Sequence, residues 1–345
     1  SAVIRNGRHP SCDRPAMIIT RTPFRLSFFG GGTDFPAWYK KNGGVVLSTT
    51  IDKYCYISCR LLPPFFSHKH RIVYSKSECV NDIDEIQHPA VRETFRFMDV
   101  SEGLELHHDG DLPARSGIGS SSAFTVGLLH ALYGLNGKIV SKKRLALESI
   151  HIEQKMIREN VGSQDQVAVA FGGLNKITFN GDHNIEVTPI TISPGKLEDF
   201  QGHLQLFFTG STRFASDIEK EKIRKISDEE TDLSRLAEMV HEAIHILNSG
   251  GDFDDFGRML HESWLIKKSL SPHVTTENID AIYDLALKNG ALGGKLLGAG
   301  GGGFLLLYVN PDKKETIKKK LSHLLNVPFR FDHLGSQIIY YREGA

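Results

Sequence analysis

The chain has no excess of charge and no apolar run long enough to cross a membrane. Its 345 residues contain 41 Lys and Arg against 41 Asp and Glu. A balanced chain without a dense basic run gives no reason to expect nucleic acid as a partner. No apolar run reaches the roughly 20 residues that a membrane span needs, so we expect no membrane partner either.

Cysteines are few, and their spacing fits no metal site. Cys12, Cys55, Cys59 and Cys79 form no C-x-x-C pair, which argues against structural zinc. Nothing suggests a disulfide framework, so a reducing cytoplasm is the expected location. Residues 1–16 are polar, contain two prolines and carry no signal-peptide pattern, and we expect them to be a leader outside the fold.

The rest of the chain divides into a strand-rich part and a helix-rich part. Hydrophobic residues make up 40% and charged residues 24%, as in soluble globular proteins. Strand-like patterns dominate residues 17–200, whereas residues 201–345 are mainly helical, so we place the domain division at 200/201. Predicted strands include 17–29, 43–60 with a turn near Asp52 and Lys53, 204–209 and 337–341. Predicted helices include 88–98, 142–160, 215–225, 233–248, 254–269, 276–289 and 313–325.

A loop followed by an apolar helix occupies residues 111–130. Residues 112–123 read L-P-A-R-S-G-I-G-S-S-S-A, after which small and apolar residues follow. Glycines permit close approach, and hydroxyls and N–H groups at a helix start attract anions, of which phosphate is the usual one. An ordinary serine-rich cap on a core helix is the alternative. The stretch is neither a Walker A loop nor a Rossmann fingerprint, since the lysine and the third glycine of those motifs are missing.

A second glycine-rich turn follows the first predicted strand. Gly30, Gly31 and Gly32 precede Thr33 and Asp34, and Arg25 lies on the same strand. The backbone could lie close to a ligand here, with a cation and a carboxylate near it. The alternative is a tight turn capped by the aspartate.

Two carboxylates and a third glycine run complete the set of candidates. Glu153 lies one step past the apolar stripe of the predicted helix 142–160, where a solvated glutamate would also fit. Asp165 lies between a glycine turn and an apolar helix start, as a cap or as a buried base. Residues 295–303 read K-L-L-G-A-G-G-G-G, a loop for close packing or, as we favour, for close ligand approach.

Taken in their order along the chain, these three glycine-rich pieces resemble the motifs of the GHMP kinase superfamily, which includes galactokinase and mevalonate kinase. Residues 112–123 are similar to its ATP-phosphate loop, residues 21–34 to its substrate motif and residues 295–303 to its C-terminal motif. The resemblance spans about residues 17–342. It implies an α+β fold, with an N-terminal domain like that of ribosomal protein S5, which contains a left-handed β-α-β unit, and a ferredoxin-like C-terminal domain.

The resemblance also implies the site residues and cofactors, which are ATP and Mg²⁺. Asp165 would be the catalytic aspartate and Arg25 the cation beside it, while Ser121 and Glu153 would hold the metal. The implied ATP-binding residues are Pro113, Arg115, Gly117, Ile118, Gly119, Ser120, Ser121 and Ser122. The implied substrate-binding residues are Gly30, Gly31, Gly32, Thr33, Asp34, Gly300, Gly301 and Gly302.

The substrate motif departs from the galactokinase pattern in a way that bears on the acceptor. Galactokinases carry G-E-H-T-D where this chain has Gly30-Gly31-Gly32-Thr33-Asp34. The chain instead resembles the sugar kinases that phosphorylate the anomeric oxygen of D-glycero-D-manno-heptose 7-phosphate. Exposed backbone N–H groups would suit a phosphorylated acceptor, and Arg, Lys or Ser side chains of the C-terminal helices are further candidates for holding that phosphate.

Two other functions stay open on the sequence. One is a fucose-like or other aldose 1-kinase, because fucokinase domains carry a similar motif. The other is a non-catalytic sugar-binding relative, against which the joint presence of Arg25, Ser121, Glu153 and Asp165 argues. For partners we expect a small sugar phosphate and allow for a homodimer.

Overall fold

The computed structural model describes residues 15–181, 184–210, 230–271 and 273–343, which form a mixed α/β protein around two sheets. The strands are β1 Pro15–Phe29, β2 Gly44–Leu61, β3 His70–Val73, β4 Ser77–Val80, β5 Leu104–Gly110, β6 Asn175–Phe179, β7 Ile185–Pro189, β8 Leu204–Phe208, β9 Ala291–Leu296, β10 Phe304–Val309, β11 Leu325–Asn326, β12 Phe331–Asp332 and β13 Gln337–Glu343. The helices are α1 Pro36–Asn42, α2 Pro89–Phe97, α3 Ser120–Leu135, α4 Lys142–His151, α5 Gln164–Phe171, α6 Pro194–Gly202, α7 Glu230–Asn248, α8 Asp254–Leu270, α9 Glu277–Lys288 and α10 Lys314–Lys320. Short 3-10 helices span Ile83–Glu85 and Pro311–Lys313, and a π-helical turn spans Ile152–Ile157.

The nine-stranded first sheet is built on the long antiparallel pair β1 and β2. The order β13-β1-β2-β5-β3-β4 forms its main path, while β6 and β12 also pair with β2. Helix α3 lies on this sheet, where Thr20 Oγ1 donates to the carbonyl oxygen of Gly127 over 2.9 Å. Because α3 is apolar and small on nearly every face, it can be buried between the sheet and its neighbouring helices.

The four-stranded second sheet has the order β11-β8-β10-β9 and is antiparallel. An aromatic cluster joins the second part of the chain to β1. The ring of Phe256, on α8, lies 5.4 Å from that of Phe28 and 5.0 Å from that of Phe29. Phe200 adds a further edge contact to Phe256 at 4.7 Å. Edge-to-face packing of this kind stabilises a buried junction, and this one lies directly beyond Arg25 and Ser27 on β1.

The carboxyl end of the chain returns to the first sheet. Strand β12 pairs with β2, and β13 forms an edge of the sheet beside β1, with Ile18 opposite Tyr341. Residues Pro15 and Ala16 already belong to β1. The division at 200/201 stays a prediction. No helix in the described ranges combines the length and the apolar character that a bilayer span requires.

Several predicted elements differ from the structure. The turn predicted near Asp52 and Lys53 is wrong, because β2 continues through it and the backbone N–H of Asp52 donates to Arg330 over 2.8 Å. The predicted helix 142–160 is α-helical only to His151 and then π-helical, and the predicted helix 313–325 stops at Lys320. Proline at the first turn begins both unpredicted helices, α1 and α6. The predicted helix 215–225 lies outside the described residues.

Candidate active site

A cavity of about 290 Å³ lies where the three glycine-rich loops meet. The loop before α1, the loop before α3 and the loop between β9 and β10 each contribute to its wall. Four basic side chains and four carboxylates line it together. These are Arg25, Arg115, Lys267 and Lys295 with Asp34, Glu153, Glu159 and Asp165. The cavity is therefore polar and balanced in charge, as suits a charged small molecule with charged cofactors.

At the centre of the cavity, Arg25 and Asp165 form a bidentate ion pair. Arg25 Nε donates to Asp165 Oδ1 over 2.7 Å and Nη2 donates to Oδ2 over 2.9 Å. The arginine side chain is 4% exposed and the aspartate 25%, so the open side of the pair is the carboxylate. Arg25 Nη1 also donates to the carbonyl oxygen of Gly117 over 2.6 Å. The pair is thus tied directly to the loop before α3.

The loop before α3 is held in place by backbone contacts with the loop between β9 and β10. Gly117 has a φ of +84°, and a Cβ there would lie 2.3 Å from the carbonyl oxygen of Leu297. The backbone N–H of Phe304 donates to the carbonyl oxygen of Ser116 over 3.2 Å. Close packing, which was the less favoured explanation of the third glycine run, therefore accounts for part of it.

The serines at the start of α3 do not cap the helix in the ordinary way. Gly119 is the N-cap and makes no side-chain cap. Ser120 Oγ instead accepts the backbone N–H of Arg115 over 3.0 Å, which closes the loop. Ser120, Ser121 and Ser122 all line the cavity with Arg115, Gly117 and Gly119. The first N–H groups of α3 are therefore free of a side-chain cap at Gly119 and suit an anion.

Glu153 reaches the cavity from the π-helical turn that follows α4. The turn ends at Arg158, whose φ is +64°, and the N–H of Glu159 bonds back to the carbonyl oxygen of Glu153 over 2.9 Å. Single π-helical turns inside longer helices are frequent at functional sites. Glu153 is 1% exposed, and burial raises its pKa to about 7. Its Oε2 accepts hydrogen bonds from Ser122 Oγ, over 3.0 Å, and from Gln166 Nε2.

The oxygens near Glu153 fit Mg²⁺ delivered with a nucleotide. Glu153 Oε1 is buried and has no hydrogen-bond partner among the described residues. Ser121 lines the same cavity and adds a hydroxyl. The described residues contain no cluster of three or more His, Cys, Asp or Glu that could hold a metal ion alone. A site with one carboxylate and a hydroxyl is typical of Mg²⁺ that keeps waters and phosphate oxygens as its other ligands.

The loop before α1 presents only part of its sequence to the cavity. Gly31, Gly32 and Asp34 line it. Asp34 also caps the turn, because Oδ1 accepts the N–H of Gly32 over 2.9 Å and Oδ2 accepts the N–H of Gln164 over 3.2 Å. Burial raises the pKa of Asp34, and the nearby charge of Asp165 adds to that effect. The turn is therefore capped by the aspartate, as one sequence alternative proposed, and it also faces the cavity, as the other alternative requires.

Five of the predicted site residues do not line the cavity. Thr33 is fully buried, and its hydroxyl donates to the carbonyl oxygens of Gly30 and Val45. Gly301 donates its N–H to Val274, and Ile118 is fully buried in the core. The five are Gly30, Thr33, Pro113, Ile118 and Gly301, whereas Gly300 and Gly302 do face the cavity. These contacts give no support to a direct binding role for the five.

The sequence did not single out several cavity residues, since Lys267 was included only among the side chains of the C-terminal helices and Lys295 only as the first residue of the third motif. Lys267, on α8, donates from Nζ to the carbonyl oxygens of Leu296 and Gly298 over 2.8 and 2.6 Å. Lys295 Nζ donates to the carbonyl oxygen of Phe28 over 2.8 Å. Ser27, Gln164 and Gln166 also line the cavity. Alternation with Arg25 on β1 could have indicated Ser27, whereas no local pattern distinguishes Lys267 from the other helical lysines.

Family models match both parts of the chain. The model for the N-terminal domain of the GHMP kinases matches residues 85–173, and the model for their C-terminal part matches residues 235–326. The first match contains the loop before α3, Glu153 and Asp165, and the second contains Lys267, Lys295 and the third glycine run. The matched segments therefore contain most of the residues that line the cavity.

Individual proteins resemble the chain over nearly its whole length. A D-glycero-alpha-D-manno-heptose 7-phosphate kinase from Campylobacter jejuni is 33% identical over 88% of this chain and 93% of its own length. A galactokinase from Pyrococcus furiosus is 24% identical over 87% of this chain and 91% of its own. The solved structure of a D-glycero-D-manno-heptose 1-phosphate kinase from Bacteroides thetaiotaomicron, 23% identical, superposes with a TM-score of 0.76 over 94% of this chain and 99% of that one.

Proposed function

The chain belongs to the GHMP kinase family, and we propose that it transfers the γ-phosphoryl group of ATP to the anomeric hydroxyl of D-glycero-D-manno-heptose 7-phosphate, giving the 1,7-bisphosphate. The α+β fold expected from the motifs is that of this family. As a member of this family with sugar kinase relatives over nearly its whole length, the chain is an ATP-dependent sugar kinase. The observation that supports the chemistry best is the Arg25–Asp165 pair, which lies between the loop before α3 and the loop before α1.

The proposed mechanism assigns binding of the nucleotide phosphates to the loop before α3. Backbone N–H groups of residues 117–122 and the positive end of α3 would hold them, since phosphoryl transfer needs positioning and charge neutralisation more than covalent chemistry. Arg115 and Arg25 line the same cavity and add positive charge to it. When bound, Mg²⁺ would neutralise charge on the phosphate oxygens, and Ser121 and Glu153 are the residues that would hold it.

Asp165 is the group positioned to take the proton of the acceptor hydroxyl. Its carboxylate is the open half of the ion pair, and it retains lone pairs beyond the two that Arg25 occupies. Arg25 keeps the carboxylate oriented and stays close to the loop before α3 through the carbonyl oxygen of Gly117. The hydroxyl would thus lose its proton next to the γ-phosphoryl group that it attacks.

The identity of the acceptor rests on the loop before α1 and on the named relative. Gly31 and Gly32 stand where galactokinases have glutamate and histidine, and the Campylobacter relative at 33% identity is named for heptose 7-phosphate. The Bacteroides structure is named for heptose 1-phosphate, but at 23% identity it supports the fold alone. An acceptor phosphorylated at the far end leaves the anomeric hydroxyl available, as a 1-kinase requires.

A panel of acceptors tests this function and its alternatives. Purified protein with Mg-ATP would be given heptose 7-phosphate, heptose 1-phosphate, L-fucose and galactose, and ADP release would be measured. We expect turnover with heptose 7-phosphate and a 1,7-bisphosphate product by phosphorus NMR. A preference for fucose would instead support a fucose-like aldose 1-kinase. Sugar binding without any ADP release would support a non-catalytic relative.

A further inference from the structure

The three consecutive glycines before α1 differ in what the fold requires of them. Gly30 has a φ of +82°, and a Cβ there would lie 2.0 Å from the carbonyl oxygen of Val45. Gly32 has a φ of +108°, and its Cβ would lie 2.9 Å from Leu233 Cδ2. Both positions therefore need glycine for conformational reasons, and Gly30 needs it for steric reasons as well, because its close contact is with the backbone.

Gly31 has neither restriction. Its φ lies outside the left-handed region, and a Cβ there would meet only Gln164 Nε2 at 3.7 Å and Ser27 Oγ at 3.8 Å. Both distances are ordinary van der Waals contacts, so the fold would accept alanine. Replacing such a glycine with alanine commonly stabilises a protein slightly, because it restricts the unfolded chain. The fold thus gives no reason for a glycine here, but Gly31 lines the cavity.

Gln164 offers hydrogen-bond donors to the space beside Gly31. Its Oε1 accepts from Ser27 Oγ over 2.8 Å, whereas its Nε2 donates to none of the described residues. Gln164 and Asp165 are consecutive, but they lie near different loops. A Cβ at Gly119, on the loop before α3, would lie 3.5 Å from Asp165 Cγ, while the equivalent atom at Gly31 would lie near Gln164. The reacting side and the Gly31 side of the cavity thus contact two consecutive residues of α5.

We propose that the space beside Gly31 is the subsite that determines acceptor size, and that Gln164 Nε2 donates there to an oxygen on the phosphate-bearing end of the sugar. The inference rests on the proposed function and adds to it a position that discriminates between acceptors. A heptose 7-phosphate is longer than a hexose by one carbon and a phosphate, and a side chain at residue 31 would occupy the volume that this end needs. Lys295, which holds the carbonyl oxygen of Phe28 next to Ser27, adds positive charge to the same cavity.

The test compares Gly31→Ala and Gly31→Val with Gly250→Ala, a control whose Cβ would meet nothing within 4 Å. We expect Gly31→Ala to melt at or slightly above the wild-type temperature and to keep its KM for ATP. Its KM for heptose 7-phosphate should rise about tenfold, and more in Gly31→Val, while the inhibition constant of the shorter D-mannose, used as a competitor, changes little. The control should match the wild type in every measurement.

A second variant separates hydrogen bonding from volume. Gln164→Leu keeps the backbone N–H that Asp34 accepts but removes the amide donors, and we expect the KM for heptose 7-phosphate to rise about tenfold or more. Unchanged acceptor KM values in both variants, equal increases in the KM for heptose 7-phosphate and in the inhibition constant of D-mannose, or a lowered melting temperature in Gly31→Ala would each overturn the inference. Absence of heptose 7-phosphate turnover in the wild type would instead overturn the proposed function, so the two failures are distinguishable.

Discussion

A nearly buried arginine and a more open aspartate form the chemical centre of the cavity. Asp165→Asn keeps the size of the side chain but removes its basic oxygen. Since general base catalysis commonly contributes 10²–10⁴-fold, we expect kcat to fall by about that factor with little change in ATP affinity. Single-turnover kinetics and nucleotide titration would measure the two effects. Asp312→Asn, on an exposed side chain, is the control, and a wild-type rate in Asp165→Asn would refute the assignment.

Glu153 is a cavity residue whose negative charge destabilises the fold. Its side chain is buried, and Oε1 has no partner in the described part of the chain, so ionising it is expensive without a cation. Glu153→Gln preserves the shape and an acceptor for Ser122. We expect it to raise the Mg²⁺ concentration needed for half-maximal activity at least tenfold while the melting temperature is kept or increased.

Direct Mn²⁺ binding in the presence of ADP, followed by electron paramagnetic resonance, would test the same assignment without turnover. Glu277→Gln, on the exposed face of α9, serves as the matched control. Unaltered metal affinity in Glu153→Gln would show that this carboxylate is not a metal ligand.

At the scale of elements, the important contact is the one between the loop before α3 and the loop between β9 and β10. Gly117 and Gly137 both have positive φ, but a Cβ at Gly117 would lie 2.3 Å from Leu297 O, whereas one at Gly137 would meet nothing within 4 Å. We expect Gly137→Ala to lower the free energy of unfolding by about 1 kcal/mol, which is the cost of placing a residue with a Cβ at positive φ. Gly117→Ala should cost about 1–3 kcal/mol more and raise the KM for ATP, because the loop must move.

Chemical denaturation of the two variants measures this difference. Equal losses of unfolding free energy in Gly117→Ala and Gly137→Ala would mean that the close approach contributes nothing to stability. An unchanged KM for ATP in a destabilised Gly117→Ala variant would separate the packing of this loop from nucleotide binding.

The elements themselves were predictable to different degrees. Long apolar or alternating segments such as β1, α3 and β10 follow from local pattern alone, because one face or both are buried along their whole length. The π-helical turn at Ile152–Ile157 was not predicted, because its hydrogen bonds differ from those of an α-helix without any distinct sequence pattern. The continuous course of β2 through Asp52 depends on Arg330, a residue far away in the chain.

At the scale of the whole molecule, buried histidines make stability depend on pH. Burial lowers the pKa of His70, His88 and His130 to about 4, from about 6.5 in the unfolded chain. As pH falls from 6.5 to 4, the unfolded chain binds protons that the folded protein does not, so each histidine lowers the free energy of unfolding by roughly 1–3 kcal/mol. Asp34, Glu153 and Glu159 act in the opposite direction because their pKa values are raised.

A difference measurement isolates one histidine from these opposing contributions. His130→Gln replaces the imidazole that lies 3.0 Å from Ser336 Oγ with a side chain that does not titrate. We expect the stability deficit of this variant relative to wild type to shrink by about 1–3 kcal/mol between pH 6.5 and 4. Urea unfolding at several pH values would show it, and parallel curves for the two proteins would contradict it.

The amino-acid sequence by itself determined the chemistry that is available and its family. The three loops were predicted from glycine runs, serines and carboxylates that follow in a fixed order. The same motifs indicated Arg25, Glu153 and Asp165 as site residues, because the local residue type is enough to recognise a motif. The sequence also predicted a strand-rich part followed by a helix-rich part, since strand and helix periodicities are local. These features need no knowledge of what packs against them.

Only the tertiary structure decided which of those residues meet. It brings Arg25 of β1 to Asp165 of α5, places Lys267 and Lys295 in the same cavity, and leaves Thr33 and Ile118 in the core. It also separates Gly31, which the fold does not need as glycine, from Gly30 and Gly32, which it does. The physical reason is that such distinctions depend on distances between segments remote in the chain, and those distances are set by packing rather than by local propensity.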